Sequence, residues 1–263
     1  MIRLALRILA LAIALPAMAQ STAPKVYAAG SLKAALTEVA TVFRIAGGSD
    51  VMFEFGPSGI LRDRLAKGEA ADLFASANME HPKALVDAGK AQLVRAFARN
   101  KLCALVSPKV GATTDNLLEK MLSPGVKLAT STPKADPSGD YAWQVFERAE
   151  KLKPGAFESL SKKALQLVGG PTSPPPPKDR SAYGVLVANG SVDIFLTYCT
   201  GAALAKREEP TLEIVALPET LAVGAEYGLA VMNGVSPSGE RFAAFILSPA
   251  GQSVLASHGF SAP

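Results

Sequence analysis

Along this chain, short continuous apolar runs alternate with stretches in which apolar residues return every three or four positions. Lys25-Val26-Tyr27-Ala28-Ala29 is of the first kind and predicts a strand. Leu32, Ala35, Leu36, Val39, Val42 and Phe43 follow at helical spacing, with Ser31 opening the helix. Val51 to Phe55 predicts a second strand, stopped by Gly56-Pro57-Ser58-Gly59, and a helix carrying Leu61 and Leu65 comes next. Asp72 to Ser76 predicts a third strand, short and buried. Strand–helix alternation of this sort implies parallel βαβ units.

A second series begins after the apolar strand Lys101 to Val106. It comprises a strand at Val126 to Ala129, helices from Tyr141 to Leu152 and from Ala156 to Leu165, and a strand from Asp193 to Cys199. Glu226 to Met232 is another strand, and helices over Glu240 to Leu247 and Ala250 to His258 close the chain. The run Gly169-Gly170-Pro171-Thr172-Ser173-Pro174-Pro175-Pro176-Pro177 is neither helix nor central strand, because proline removes the backbone donor both need. It reads as a stiff extended loop. With no internal repeat and no flexible linker, the expected class is α/β, as two lobes joined by crossing strands.

Composition adds a compartment. Arg3 and Arg7 lead into the apolar run Ile8 to Leu15, then Pro16 and Ala17-Met18-Ala19, the pattern of a secretory signal over 1–19 with the mature chain starting at Gln20. The run is far short of the roughly 20 residues that span a bilayer. Without the signal, 25 lysines and arginines face 23 acids, and no basic block argues for nucleic acid or an anionic membrane. In an oxidising periplasm the two cysteines, Cys103 and Cys199, form a candidate disulfide, the alternative being two buried thiols.

The chemistry lies in a repeated device: a strand ends, a serine sits at a glycine-containing turn, and a helix starts. It occurs at Ala29-Gly30-Ser31-Leu32, at Gly56-Pro57-Ser58-Gly59 and at Asp136-Pro137-Ser138-Gly139. A helix N-terminus presents unpaired N–H groups and partial positive charge, so it can bind an anion without a formal cation. Serine is also a common N-cap that needs no ligand, so only the recurrence of the device carries weight.

In these segments the chain resembles the molybdate-binding proteins of ABC importers, within the type II periplasmic binding proteins. The likeness runs from Lys25 to Phe260 and includes Ala28-Ala29-Gly30-Ser31-Leu32 and Phe55-Gly56-Pro57-Ser58-Gly59. It continues through Gly68 to Ala77, Arg99-Asn100-Lys101-Leu102, Asp193 to Ala202 and Gly259-Phe260. The resemblance implies two lobes, each a mixed, mostly parallel sheet flanked by helices, with an oxyanion held between them. The expected lobes are 25–100 with 228–263, and 101–227, hinged on strands Lys101 to Val106 and Tyr227 to Val231. It implies no cofactor, no cation site and no catalysis; the ligand is molybdate or tungstate and the partner an inner-membrane ABC permease. A monomer is expected. Its ligand set carries over onto Ser31 and Ser58, Ser138 with Gly139, Tyr198, and a backbone donor at Arg180.

Three departures bear on the anion. Arg180 stands where the family has an apolar residue, and an arginine fork in the cleft would favour sulfate, phosphate, an organic acid or a metal chelate. Pro57 replaces a frequent serine, and the Asp136 to Gly139 turn is short. A hydrolase would need a base beside one of the serines, and neither His81 nor His258 is placed by sequence to serve.

Overall fold

The computed structural model describes residues 23–177 and 180–263, so the expected signal peptide lies outside the described residues. The first strands and helices are β1 (Lys25–Ala29), α1 (Lys33–Ile45), β2 (Met52–Gly56), α2 (Ser58–Ala66), β3 (Leu73–Ser76) and α3 (Glu80–Asp87). A long strand β4 (Ala91–Val106) leads to α4 (Leu117–Leu122), β5 (Leu128–Ser131), α5 (Pro137–Leu152), α6 (Ala156–Lys163) and β6 (Leu165–Val168). Then come α7 (Ala182–Ala188), β7 (Ile194–Tyr198), α8 (Cys199–Glu208), β8 (Glu213–Ala216), β9 (Gly224–Met232), α9 (Pro237–Leu247) and α10 (Pro249–Ser257).

The strands run β2-β1-β3-β9-β4 and, beyond β4, β7-β5-β6, with β8 on the other edge of β4. In the first half β1 lies parallel to β2 and β3; in the second, β5 lies parallel to β6 and β7. β9 and β4 run antiparallel to their neighbours. The molecule is thus a two-lobed, mixed α/β structure. β4 serves both halves: Ala91 to Lys101 pairs with β9, and from Leu102 onward the same strand pairs with β7.

The strands that read as continuous apolar runs are those buried on both faces, since β3, β5 and β7 are buried throughout. α1 buries Ala35, Leu36, Val39 and Phe43, one stripe of its surface. α5 starts four residues before the expected Tyr141, with Asp136 as N-cap and Pro137 as the first helical residue.

Other elements also differ from the sequence reading. β4 begins at Ala91, ten residues before the expected strand, because irregularities between Ala91 and Leu93 and between Ala96 and Ala98 break its period of two. Leu165 opens the edge strand β6 instead of closing a helix. Cys199 is the first residue of α8, not the last of a strand. Its sulfur is bonded to Cys103 on β4, with the two Cα atoms 4.9 Å apart. No helix among the described residues is long and apolar enough to cross a membrane.

Candidate functional site: a cleft at the carboxyl ends of the strands

The serine devices follow the carboxyl ends of parallel strands, where open α/β sheets present their loops to ligands. β1 runs into a short 3-10 turn, Gly30–Leu32, that carries Ser31. β2 ends at Gly56, and Pro57 is the N-cap of α2, with Ser58 its first residue. In the other half β5 ends at Ser131 ahead of α5, and β7 ends at Tyr198 ahead of α8.

Hydrogen bonding orients the first two hydroxyls. The buried Ser58 Oγ accepts from the Ala77 backbone N–H at 3.1 Å, so its own hydrogen remains to donate. Ser31 Oγ lies 3.0 Å from Tyr227 Oη. Tyr227 Oη accepts from Asn100 Nδ2 at 3.4 Å, and the Ser31 and Tyr227 hydroxyls share one hydrogen bond in which either can donate. Asn100 also donates to Thr200 Oγ1 at 2.9 Å, tying the handover point of β4 to the start of α8.

In the second half, Ser138 is fully buried and its Oγ has no hydrogen-bond partner, while the equally buried Ser131 hydroxyl lies beside Asp136 and Tyr183. The N–H groups at the start of α5 are engaged by one residue. Asp136 Oδ1 accepts from Ser138 N at 3.0 Å, and the Asp136 carbonyl accepts from Gly139 N at 2.8 Å. Tyr198 is buried and its Oη donates to the Ala77 carbonyl at 3.4 Å. Gly59 N donates to the Ala135 carbonyl at 2.9 Å. Tyr198 stacks obliquely on Tyr227 at 5.6 Å and meets Tyr141 edge-on at 6.2 Å. The loops of the two halves are therefore in direct contact.

The cleft is poor in positive charge. None of the hydrogen bonds of Ser31, Ser58, Asp136 or Tyr198 given above involves a lysine or arginine side chain. Loss of solvent raises the Asp136 carboxyl to about 6, against the help of its bond to Ser138, and raises the Tyr141 phenol to about 12. The same desolvation holds Tyr198 well above the usual phenol range.

Arg180 is not brought to the other candidates. Its guanidinium is exposed and ion-paired with Glu209, the residue after α8. Tyr198 immediately precedes α8, whose ten residues separate the two ends by about 15 Å. The next backbone donor, Ser181 N, is held by Glu208 Oε2 at 2.6 Å. His258 is bonded to Glu38 at 2.7 Å on the surface. No group of three His, Cys, Asp or Glu residues that could hold a metal ion exists among the described residues. Tyr227, Asn100 and Asp136 belong to the cleft and were not singled out as site residues from sequence. Asp136 had a local signal, the Asp-Pro-Ser start of a helix; Tyr227 lies in an apolar strand and had none.

The fold and this cleft define a two-lobed solute-binding protein. The chain belongs to the family of bacterial extracellular solute-binding proteins, which it matches over residues 24–261. It is 35% identical over 207 residues to an uncharacterised protein of Pasteurella multocida, covering 78% of this chain and 86% of that one. It is 27% identical over 263 residues to the molybdate-binding protein ModA of Escherichia coli, covering 96% and 94%. Among solved structures, the sulfate-binding protein SubI from Mycobacterium tuberculosis superposes with a TM-score of 0.75 at 19% identity, covering 92% of this chain and 87% of that one.

Proposed function

We propose that this protein captures a small tetrahedral oxyanion in the periplasm, molybdate or tungstate first among them, and delivers it to an inner-membrane ABC permease. The carrying observation is the pair of serine hydroxyls, Ser31 and Ser58. Each sits at the carboxyl end of a parallel strand; Ser58 accepts from the Ala77 N–H so that its own hydrogen is left to donate, and Ser31 is held in place by the Tyr227 hydroxyl. Fixed neutral donors suit an anion that must also be released, because no ion pair has to be broken. Across the cleft, Ser138 and Tyr198 complete the set, and a ligand touching both banks would stabilise the closed form. Similarity to the E. coli molybdate-binding protein supports this ligand class, and the sulfate-binding likeness keeps sulfate in the test panel. The reading that an arginine fork grips a different anion loses its support, since Arg180 is paired with Glu209.

Isothermal titration of the mature protein with molybdate, tungstate, sulfate and phosphate tests the proposal. Tight binding of molybdate and tungstate is expected, reduced at least tenfold by Ser31→Ala and by Ser58→Ala and changed less than twofold by Arg180→Ala. Silence from all four anions would overturn it.

A further inference from the structure

The geometry points to Asp136 as a specificity-determining residue that couples anion capture to uptake of one proton, lodged between the Asp136 carboxyl and a fully ionised oxyanion. This rests on the reading that the cleft takes an oxyanion. Asp136 is the N-cap of α5 and follows Ala135, whose carbonyl meets Gly59 N at 2.9 Å, so its carboxyl sits at the end of α5 nearest the first half. Its Oδ1 takes the Ser138 N–H, and its Oδ2 crowds Gly169, where an added Cβ would fall 2.5 Å away. The fully buried Ser138 Oγ has no partner, and the buried Ser131 hydroxyl lies within reach of the carboxyl, so hydrogen-bonding groups border it.

The Ser138 N–H and the N-terminus of α5 are its local partners, and no lysine or arginine acts on it directly. From its own helix it faces Asp140, whose Oδ1 holds the Lys134 backbone N–H at 2.7 Å. From α7 it faces Tyr183 and from β7 Tyr198, both neutral phenols held well above their usual range by desolvation. β5 contributes only the Ser131 hydroxyl. One shell further out, Glu80 of α3 adds a negative influence on Asp140 and Tyr141, and Lys134 is the cation acting on Asp140. Arg180 is tied to Glu209.

A dianion entering this site would therefore stand beside a carboxylate that no cationic side chain pairs. Protonation removes the clash and gains a bond: the carboxyl O–H donates to an anion oxygen, a short charge-assisted contact. The proton comes from solvent and returns to it on release, so the step balances without any other reactant. Desolvation already holds the carboxyl up at about 6, and a second negative charge beside it drives it further in the same direction. An anion bearing its own proton, such as hydrogen phosphate, would supply the bridging hydrogen itself and take up none.

The test is calorimetric titration with molybdate and with sulfate in buffers of different ionisation enthalpy at pH 7.5, which counts protons, together with affinities from pH 6 to 8.5. For the protein, uptake of about one proton is expected, with affinity falling about tenfold per pH unit at the alkaline end. Asp136→Asn keeps an oxygen for the Ser138 N–H, so it preserves the helix cap. It should take up no proton and bind with an affinity independent of pH. Binding with no proton uptake and a flat pH profile in the unaltered protein overturns this inference alone. Silence towards every anion in both proteins overturns the oxyanion reading and this inference with it.

Discussion

Gly59→Ala separates closure of the cleft from stability of the fold. Gly59 is the second residue of α2, and its N–H donates to the Ala135 carbonyl at 2.9 Å, across the cleft. A Cβ built on Gly59 would lie 2.2 Å from the Lys134 carbonyl oxygen and 2.8 Å from that of Ala135. Both are backbone atoms with no flexible side chain to swing away, so the banks must part by about an ångström. Losing the hydrogen bond alone costs about 1 kcal/mol, roughly a fivefold loss of affinity if ligand binding needs the closed form. The fold itself should not suffer, because alanine in a helix is favoured over glycine by up to about 1 kcal/mol. Gly139→Ala is the contrasting change. Its Cβ would lie 2.5 Å from the Ser131 carbonyl oxygen and 2.6 Å from Pro133 N, contacts between α5 and the end of its own neighbouring strand. That substitution should lower the thermal midpoint outright. Titration calorimetry with the tightest-binding anion, paired with thermal unfolding, reads both effects. Gly59→Ala should bind at least fivefold more weakly with an unchanged or higher midpoint. Wild-type affinity in Gly59→Ala would refute the claim that this contact belongs to the ligand-binding conformation.

Two further expectations concern stability. The disulfide between Cys103 and Cys199 closes a separation of 96 residues, and its loss should cost about 2–4 kcal/mol. The thermal midpoint should therefore fall by several degrees on reduction or in the Cys103→Ala, Cys199→Ala variant, and an unchanged midpoint would count against the bond. His81 is buried, its Nε2 lacks a partner, and desolvation, followed by the charge of Arg62, pulls its pKa down to about 4. The unfolded imidazole takes its proton near 6.5, so below that pH the unfolded chain binds more protons and stability is lost as pH falls from about 6.5 towards 4. Asp136 works with the opposite sign: its carboxyl is raised to about 6, so its contribution is lost as pH rises from about 4 through 6. Melting curves of the protein, His81→Gln and Asp136→Asn across that window separate the two, and a His81→Gln profile as steep as the parent's would refute the first.

What was legible in the sequence follows from how local each signal is. β1 and α1 could be read because a continuous apolar run and a helical stripe each decide their element within a dozen residues. Ser31 and Ser58 were legible for the same reason, since a strand end, a glycine turn and a helix start are contiguous. The first part of β4 was not, because its irregular pairing with β9 destroys the alternation that marks a half-buried strand. Sequence placed Arg180 at the right helix start but could not give its direction, which Glu209 sets from 29 residues away. Tyr227 holds the Ser31 hydroxyl from 196 residues away, out of a strand whose pattern reports only burial.

That division has a consequence for ligand identity. The donors of the cleft are local and therefore recognisable, whereas the charge that tunes them is assembled in three dimensions. An anion site recognised by its serines alone would be taken for a neutral cradle, indifferent to the protonation of its ligand. On the reading proposed above, the Asp136 carboxyl, which no lysine or arginine pairs, would make the site sensitive to that property. Sulfate and molybdate share shape and charge, so cavity size must separate them. Hydrogen phosphate differs from both by one proton, and Asp136 is the residue positioned to detect it.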